Sequence, residues 1–305
     1  MTDGAFAPRR TAANVSVVVC TYNRAQLIGR ALTHIGESAK RADVAVEVIV
    51  VDNNSRDTTK EAVARAAATL AVPVRYVFEA KQGLSFARNC GLKRAGGTVV
   101  AFTDDDCIVD AGWIGALWRE FEANPDVAIV GGRVDLHSPQ DRPVSIRTVD
   151  ERVRYTSADH IYSLAMGANL AVRRGVVDRI GGFDPAFGGS RGVIADDIEF
   201  IYRALKRGLG VVYTPDARVL HAHGRRTPED VHAVGRGYLR GRGAFYCKYV
   251  LRADRAILRH LWWELRAPRR EGTSNVNPFS RREALTALAS GALHFLLVRT
   301  HLTRP

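Results

Sequence analysis

The first hundred residues alternate two hydrophobic periods, and that alternation restricts the fold more than any other feature of the chain. VSVVVCTYN (15–23) is a continuous valine-rich run, the pattern of a strand covered on both faces. A helical stretch follows to about Ala39. A second such strand, VEVIVVDNNS (46–55), ends in a cluster of turn and helix-capping residues. The alanine-rich run 57–70 reads as helix, VRYVFE (74–79) as a third strand, LSFARNCGLKRA (84–95) as helix and TVVAF (98–102) as a fourth strand. Strand–helix alternation at this spacing predicts an α/β fold with a mostly parallel, doubly wound sheet. Ligands of such sheets bind beyond the carboxyl ends of the strands.

Three polar clusters fall at those ends. Thr21, Tyr22, Asn23 and Arg24 follow the first strand, Asp52, Asn53, Asn54 and Ser55 the second, and Asp104, Asp105 and Asp106 the fourth. Two of the three are acidic, so a phosphate bound among them requires a cation. A divalent hard cation such as Mg²⁺ or Mn²⁺ takes one or two carboxylates and completes its shell with diphosphate oxygens. In the Asp-x-Asp spacing, one carboxylate holds a ribose hydroxyl and the other the metal. Asp105 points elsewhere by alternation, as a cap on the next helix. A His-x-His pair, His221 and His223, alternates along a later strand and offers a further metal ligand.

Beyond residue 125 the periods loosen. VAIVGGRVDL (127–136) fits a strand and HSPQDRP (137–143) a loop, while 144–165 carries no clear period. Residues 166–187 contain a short strand or helix start and then a helix ending at Gly181–Gly182. Residues 188–195 are glycine-rich. DDIEFIYRALKRG (196–208) has apolar residues at 198, 201, 202 and 205, one helical face, and Gly208 as its stop. GVVYTPDARVLHAHG (210–224) reads as one or two short strands. This gives an N-terminal tail (1–13), an α/β domain (14–224) and a C-terminal extension (225–305).

The extension carries most of the net charge of +12: residues 225–282 hold 14 lysines and arginines against 5 acids. Phe245, Tyr246, Tyr249, Trp262 and Trp263 lie among them, and ALTALASGALHFLLV (284–298) follows. That apolar run is shorter than the about 20 residues of a membrane span. Basic residues, interfacial aromatics and a short apolar helix suit an anionic membrane surface; a solvated basic face on a packed helix explains the same pattern. A third alternative is nucleic-acid binding through GRGYLRGRGAFYCKY (235–249), by stacking and phosphate neutralisation. The four cysteines (Cys20, Cys90, Cys107, Cys247) form no CxxC pair, and the first 14 residues contain no apolar signal-peptide core. Both point to a reducing cytoplasm, with a peripheral position at the inner membrane face as the option the basic extension adds.

CTYNR (20–24), VVDNNSRDTT (50–59), GLSFARNCGL (83–92), FTDDD (102–106), GANLAVRR (167–174), GGFDPAF (181–187) and ADDIEFIYR (195–203) occur in this order. Together they resemble the family 2 glycosyltransferases of GT-A fold, over roughly residues 14–224. The resemblance implies inverting transfer of a sugar from a nucleotide-diphosphate donor to a hydroxyl acceptor, with Mn²⁺ or Mg²⁺. By the same resemblance Tyr22, Asn23, Arg24, Asp52, Asn53, Arg88, Asp104 and Asp105 would face the donor. Tyr22 would lie against the base, and Asp52 would accept from its imide nitrogen. Asp106 and Asp104, with His221 or else His223, would hold the metal. Asp197 would be the general base taking the acceptor's proton, with Asp196 standing where the family has Glu. Asn169 and Asp184 would lie near the donor sugar or acceptor, and Glu199 would be structural. The acceptor class consistent with a membrane-proximal tail is a lipid-linked or cell-envelope glycan. A relative that binds nucleotide-sugars without transferring them is the remaining alternative.

Overall fold

The computed structural model describes residues 13–155, 165–188, 192–266 and 279–302. Outside the described residues therefore lie nearly all of the N-terminal tail, residues 156–164 of the stretch without a period, 189–191 of the glycine-rich segment and 267–278 of the basic extension. The first half runs β1 (Val15–Thr21), α1 (Ala25–Arg41), β2 (Val46–Asp52), α2 (Thr59–Ala67), β3 (Val74–Phe78), α3 (Leu84–Arg94), β4 (Val99–Asp104), β5 (Cys107–Val109) and α4 (Trp113–Ala123). The second runs β6 (Val127–Leu136), β7 (Val153–Tyr155), β8 (Asn169–Arg173), α5 (Arg174–Ile180), α6 (Asp196–Lys206) and β9 (Gly210–His221). Three helices close the chain: α7 (Pro228–Val250), α8 (Arg255–Arg266) and α9 (Arg281–Leu302).

The strands form one nine-stranded sheet in the order β3-β2-β1-β4-β8-β6-β9-β5, with β7 paired to β9. β1 lies between β2 and β4 in parallel register, its valines fully buried. Burying each such side chain contributes roughly 1.5–3 kcal/mol. α1 covers one face with Ile28, Ala31, Leu32 and Ile35, the i, i+3, i+4, i+7 stripe of an amphipathic helix. Parallel pairing holds from β3 to β4, where a crossover helix follows each strand. Beyond β4 the sheet is mixed: β8 runs antiparallel to β4 and β6, and β5 antiparallel to β9. Residues 210–221 form a single strand, whose register against β6 shifts between Gly132 and Arg133. Asn169 latches that irregularity by donating to the carbonyls of Arg133 and Ala217 (2.9 and 2.8 Å) and accepting from Trp113 Nε1 (2.8 Å).

α7 begins with a capping box: Thr227 Oγ1 accepts from the Asp230 amide, the Asp230 carboxylate accepts from the Thr227 amide, and Pro228 opens the helix. Leu239, Phe245, Tyr246 and Tyr249 of α7 are buried against α6 and α9. The aromatics read as possible base-stacking groups are thus interior residues, which leaves a nucleic-acid reading of 235–249 without its stacking platform. Lys248 is buried as well. Its Nζ donates to Asp184 Oδ2 (2.6 Å) and Glu199 Oε1 (2.5 Å), and Glu199, itself fully buried, also accepts from Tyr249 and Arg203. No helix of the described residues is long and apolar enough to cross a membrane.

Candidate active site

Two strand pairings build the site. The β1–β4 register sets Cys20 beside Asp104, and the antiparallel β5–β9 register sets Cys107 opposite His221. The aspartates between β4 and β5 are thereby carried to His221, and the Asp106 carbonyl accepts from the Ala222 amide (2.8 Å). α6 delivers Asp196 and Asp197 to the same place from its first turn, where carboxylates complement the helix dipole. A cavity of about 770 Å³ opens here, and Tyr22, Arg24, Arg88, all three aspartates 104–106, Asp197 and His221 line it.

The three adjacent aspartates have three different environments. Asp104 faces the buried guanidinium of Arg88 (3.7 Å), which also forms a close ion pair with Asp196. Burial pulls the Arg88 pKa down, but Asp196 and Asp104 outweigh it and hold the guanidinium charged. Asp105 accepts from Thr21 Oγ1 (2.7 Å), so it ties β4 to β1 rather than capping a helix; the chain continues into β5, not α4. Burial pushes its carboxyl up to about 7, the Thr21 hydroxyl pulling back and the neighbouring Asp106 and Asp104 adding to the rise.

Asp106 is the unusual one. Its Oδ1 is buried without a hydrogen bond, and His221 Nε2 lies 3.3 Å away. His221 Nδ1 lies 3.1 Å from the Ser145 carbonyl, which can only accept, so Nδ1 carries the proton. When neutral, His221 thus points an Nε2 lone pair at a carboxylate oxygen, and two acceptors in contact require something positive between them, a second proton on Nε2 or a cation. Burial opposes charge on both groups, but each partner prevails on the other: Asp106 lies below and His221 above its ordinary range. A divalent cation fits the same gap with one carboxylate and one imidazole, a donor set suited to Mn²⁺ or Mg²⁺. Cys107 Sγ also falls within this group of ligand atoms. Burial keeps that thiol well above its ordinary pKa, hence protonated and a poor ligand for a hard cation.

Of the expected metal set the geometry unites Asp106 and His221, with Asp104 turned to Arg88. His223 has its Nδ1 engaged by the Arg225 amide (3.0 Å), while its Nε2 is buried without a hydrogen bond. Asp197 is half-buried on the cavity wall, its oxygens held by the Gly167 and Ile198 amides (2.8 and 2.7 Å). Asn23, Asp52 and Asn53 do not line the cavity. Asn23 sits at φ 52° and accepts from the Arg56 amide. Asp52 accepts from the Ser55 amide and the Tyr76 hydroxyl, and Asn53 pins the chain at Glu79, Lys81 and Gly83. Their polar atoms hold the turn that follows β2 and tie it to β3 and to the loop after β3. Asn169 and Asp184, also expected near the ligand, are consumed by the β9 latch and by Lys248. The opposite wall comes from residues the motifs did not single out: Ser145, Arg225, Tyr238, Leu239, Arg242 and Phe279. They lie in loops or in a helix whose sequence reads as basic surface, and only the fold turns them inward.

The chain matches the profile of Glycosyl transferase family 2 over residues 16–181, and that of Glycosyl transferase family group 2 over residues 99–298. A glucosyl-dolichyl phosphate glucuronosyltransferase of Haloferax volcanii is 30% identical over 217 residues, 68% of this chain and 68% of its own. Among solved structures, a mannosyltransferase of Pyrobaculum calidifontis in complex with GDP-Man and Mn²⁺ superposes with TM-score 0.63 at 25% identity, covering 96% of this chain and 80% of the other. TarS of S. aureus (residues 1–349) shares the fold at TM-score 0.55 and 20% identity, covering 94% of this chain and 73% of the other. Matched by profile across more than half its length and carrying this sheet and cavity, the chain belongs to glycosyltransferase family 2 and is a glycosyltransferase of GT-A fold.

Proposed function

We propose that this glycosyltransferase moves a sugar from a nucleotide-diphosphate donor to an acceptor hydroxyl with inversion, using a divalent cation at Asp106 and His221 and Asp197 as general base. The observation that carries the reading is the buried, unbonded Asp106 Oδ1 facing His221 Nε2 in the cavity that Asp197 lines. The relative from Pyrobaculum calidifontis holds GDP-Man and Mn²⁺, which supports the same donor chemistry here. When bound, the cation would supply positive charge against the departing diphosphate. Arg24 and Arg225 on the cavity wall add guanidinium charge to the same end, and Tyr22, exposed at the rim, offers a face to the base. Asp197 takes the acceptor's proton as the oxygen attacks the anomeric carbon. Of the two adjacent carboxylates it is the one left for that work, because Asp196 is buried and paired to Arg88.

For the acceptor, the reading is a lipid-linked or cell-envelope glycan met at an anionic membrane surface. Among the described residues, ten of the thirteen exposed large apolar ones fall between Val250 and Leu297, including Trp262 and Trp263 at 46% and 61% exposure. Arg252, Arg255, Arg259 and Arg266 lie among them, the mixture an anionic bilayer surface takes up. The Haloferax relative, named for a glucosyl-dolichyl phosphate substrate, fits that class. The test is nucleoside diphosphate release from a panel of UDP-, GDP- and dTDP-sugars with Mn²⁺ or Mg²⁺, supplied with lipid-phosphate-linked and free glycan acceptors. One donor–acceptor pair is expected to turn over, and Asp197→Asn to slow it roughly 10²–10⁴-fold, the size of a lost general base. Binding of a donor with no turnover of any acceptor makes the chain a non-catalytic relative instead.

A further inference from the structure

We infer that helix α7 sets the cation affinity of the site through Tyr238, acting on His221 by way of Ser145; this rests on the cation reading above. The Tyr238 hydroxyl lies 2.5 Å from Ser145 Oγ, and the Ser145 carbonyl lies 3.1 Å from His221 Nδ1. Ser145 has φ 55°, a left-handed conformation that costs a non-glycine residue energy and persists only where its surroundings impose it. Those surroundings are visible. The chain is pinned on one side by the Arg147–Val134 backbone pair (2.8 and 2.9 Å) and on the other by the Arg142 amide bonded to the Arg225 carbonyl (2.8 Å). Between these pins Tyr238 is the contact that holds the Ser145 side chain.

The consequence is chemical. With its carbonyl held against Nδ1, Ser145 fixes the proton there and leaves Nε2 as the only lone pair His221 can present to Asp106 and a cation. Without it, the imidazole exchanges tautomers or rotates, and part of the population faces Asp106 with an N–H instead of a ligand. Partners of this kind, which orient a ligating histidine through its other nitrogen, typically control metal affinity 10- to 100-fold. Tyr238 is a positioning residue in this sense. It belongs to helix α7, so the C-terminal layer takes part in cation binding without offering a ligand.

Tyr238→Phe removes the hydroxyl and keeps the ring. Two readouts follow: the Mn²⁺ dissociation constant by electron paramagnetic resonance on the substrate-free protein, and the His221 tautomer by long-range ¹H–¹⁵N correlation above its titration. The expected result is Nδ1–H in the wild type, mixed tautomers in Tyr238→Phe, and at least 10-fold weaker Mn²⁺ binding with an unchanged circular dichroism spectrum. Ser145→Ala should weaken Mn²⁺ similarly, and the double variant no further. A single Nδ1–H tautomer and a dissociation constant within twofold of wild type in Tyr238→Phe overturn the inference while leaving the cation site intact. Failure of the wild type itself to bind Mn²⁺ overturns the cation reading, and the inference with it.

Discussion

At the scale of single residues, the site is organised by what each carboxylate faces. Arg88 neutralises two of them from a nearly fully buried position, so its removal strands Asp104 and Asp196 without their charge partner. Breaking a buried pair in this way costs about 3–5 kcal/mol. Arg88→Met is therefore expected to lower the thermal midpoint strongly, while Asp197→Asn, on the cavity wall, should leave it nearly unchanged; differential scanning fluorimetry of both variants decides. Gly167 permits the close packing of this arginine, since a Cβ there would collide with the guanidinium. Even Gly167→Ala should cost stability, and it also disturbs the amide that holds Asp197. That Asp104, Asp106, Asp197 and His221 line one cavity agrees with a site expected from acidic residues at a strand end and from the resemblance of the ordered motifs to family 2 glycosyltransferases. What each residue touches was not legible in the sequence: nothing local says that Asp105 bonds Thr21, or that Asp52 and Asn53 reach to Tyr76 and to residues 79–83.

At the scale of elements, α6 is clamped from behind. Glu199 on this helix accepts from Lys248 and Tyr249 of α7 and from Arg203, one turn on from the first-turn aspartates. Lys248→Met leaves Asp184 without its cation and Glu199 with Arg203 alone, and is expected to destabilise the fold by up to about 3–5 kcal/mol. Because α6 carries Asp197, turnover should also fall at temperatures where the variant remains folded, with donor affinity less affected; steady-state kinetics separates the two. α7 and α9 cross closely enough that a Cβ at Gly243 would meet the Leu288 carbonyl and one at Gly291 the Arg240 carbonyl. Gly291→Val should therefore loosen α9, read as raised amide hydrogen exchange in residues 281–298. The glycine-rich, basic stretch 235–249 looked in the sequence like a polar binding tract. Its glycines serve close packing instead, Gly243 against α9 and Gly237 and Gly241 against Ile194, a long-range requirement with no local sequence signature.

For the whole molecule, the alternation of periods in the first hundred residues was sufficient to specify the parallel half of the sheet. The mixed half was harder to read because β8 and β9 pair with strands far away in the chain, and their register depends on a latch at Asn169. The C-terminal layer completes the cavity on one side and exposes Trp262 and Trp263 on the outside. Sedimentation with vesicles containing anionic lipid should retain the wild type and lose much of it in Trp262→Ala/Trp263→Ala; equal retention on purely zwitterionic vesicles would argue against an electrostatic contribution. The central claim is the cation site, and isothermal titration of Mn²⁺ in the presence of UDP, GDP or dTDP tests it most directly. The wild type should bind Mn²⁺ more tightly with one of these diphosphates than without, and Asp106→Ala and His221→Ala should each lose that binding while remaining folded. Undiminished Mn²⁺ affinity in both variants would contradict it.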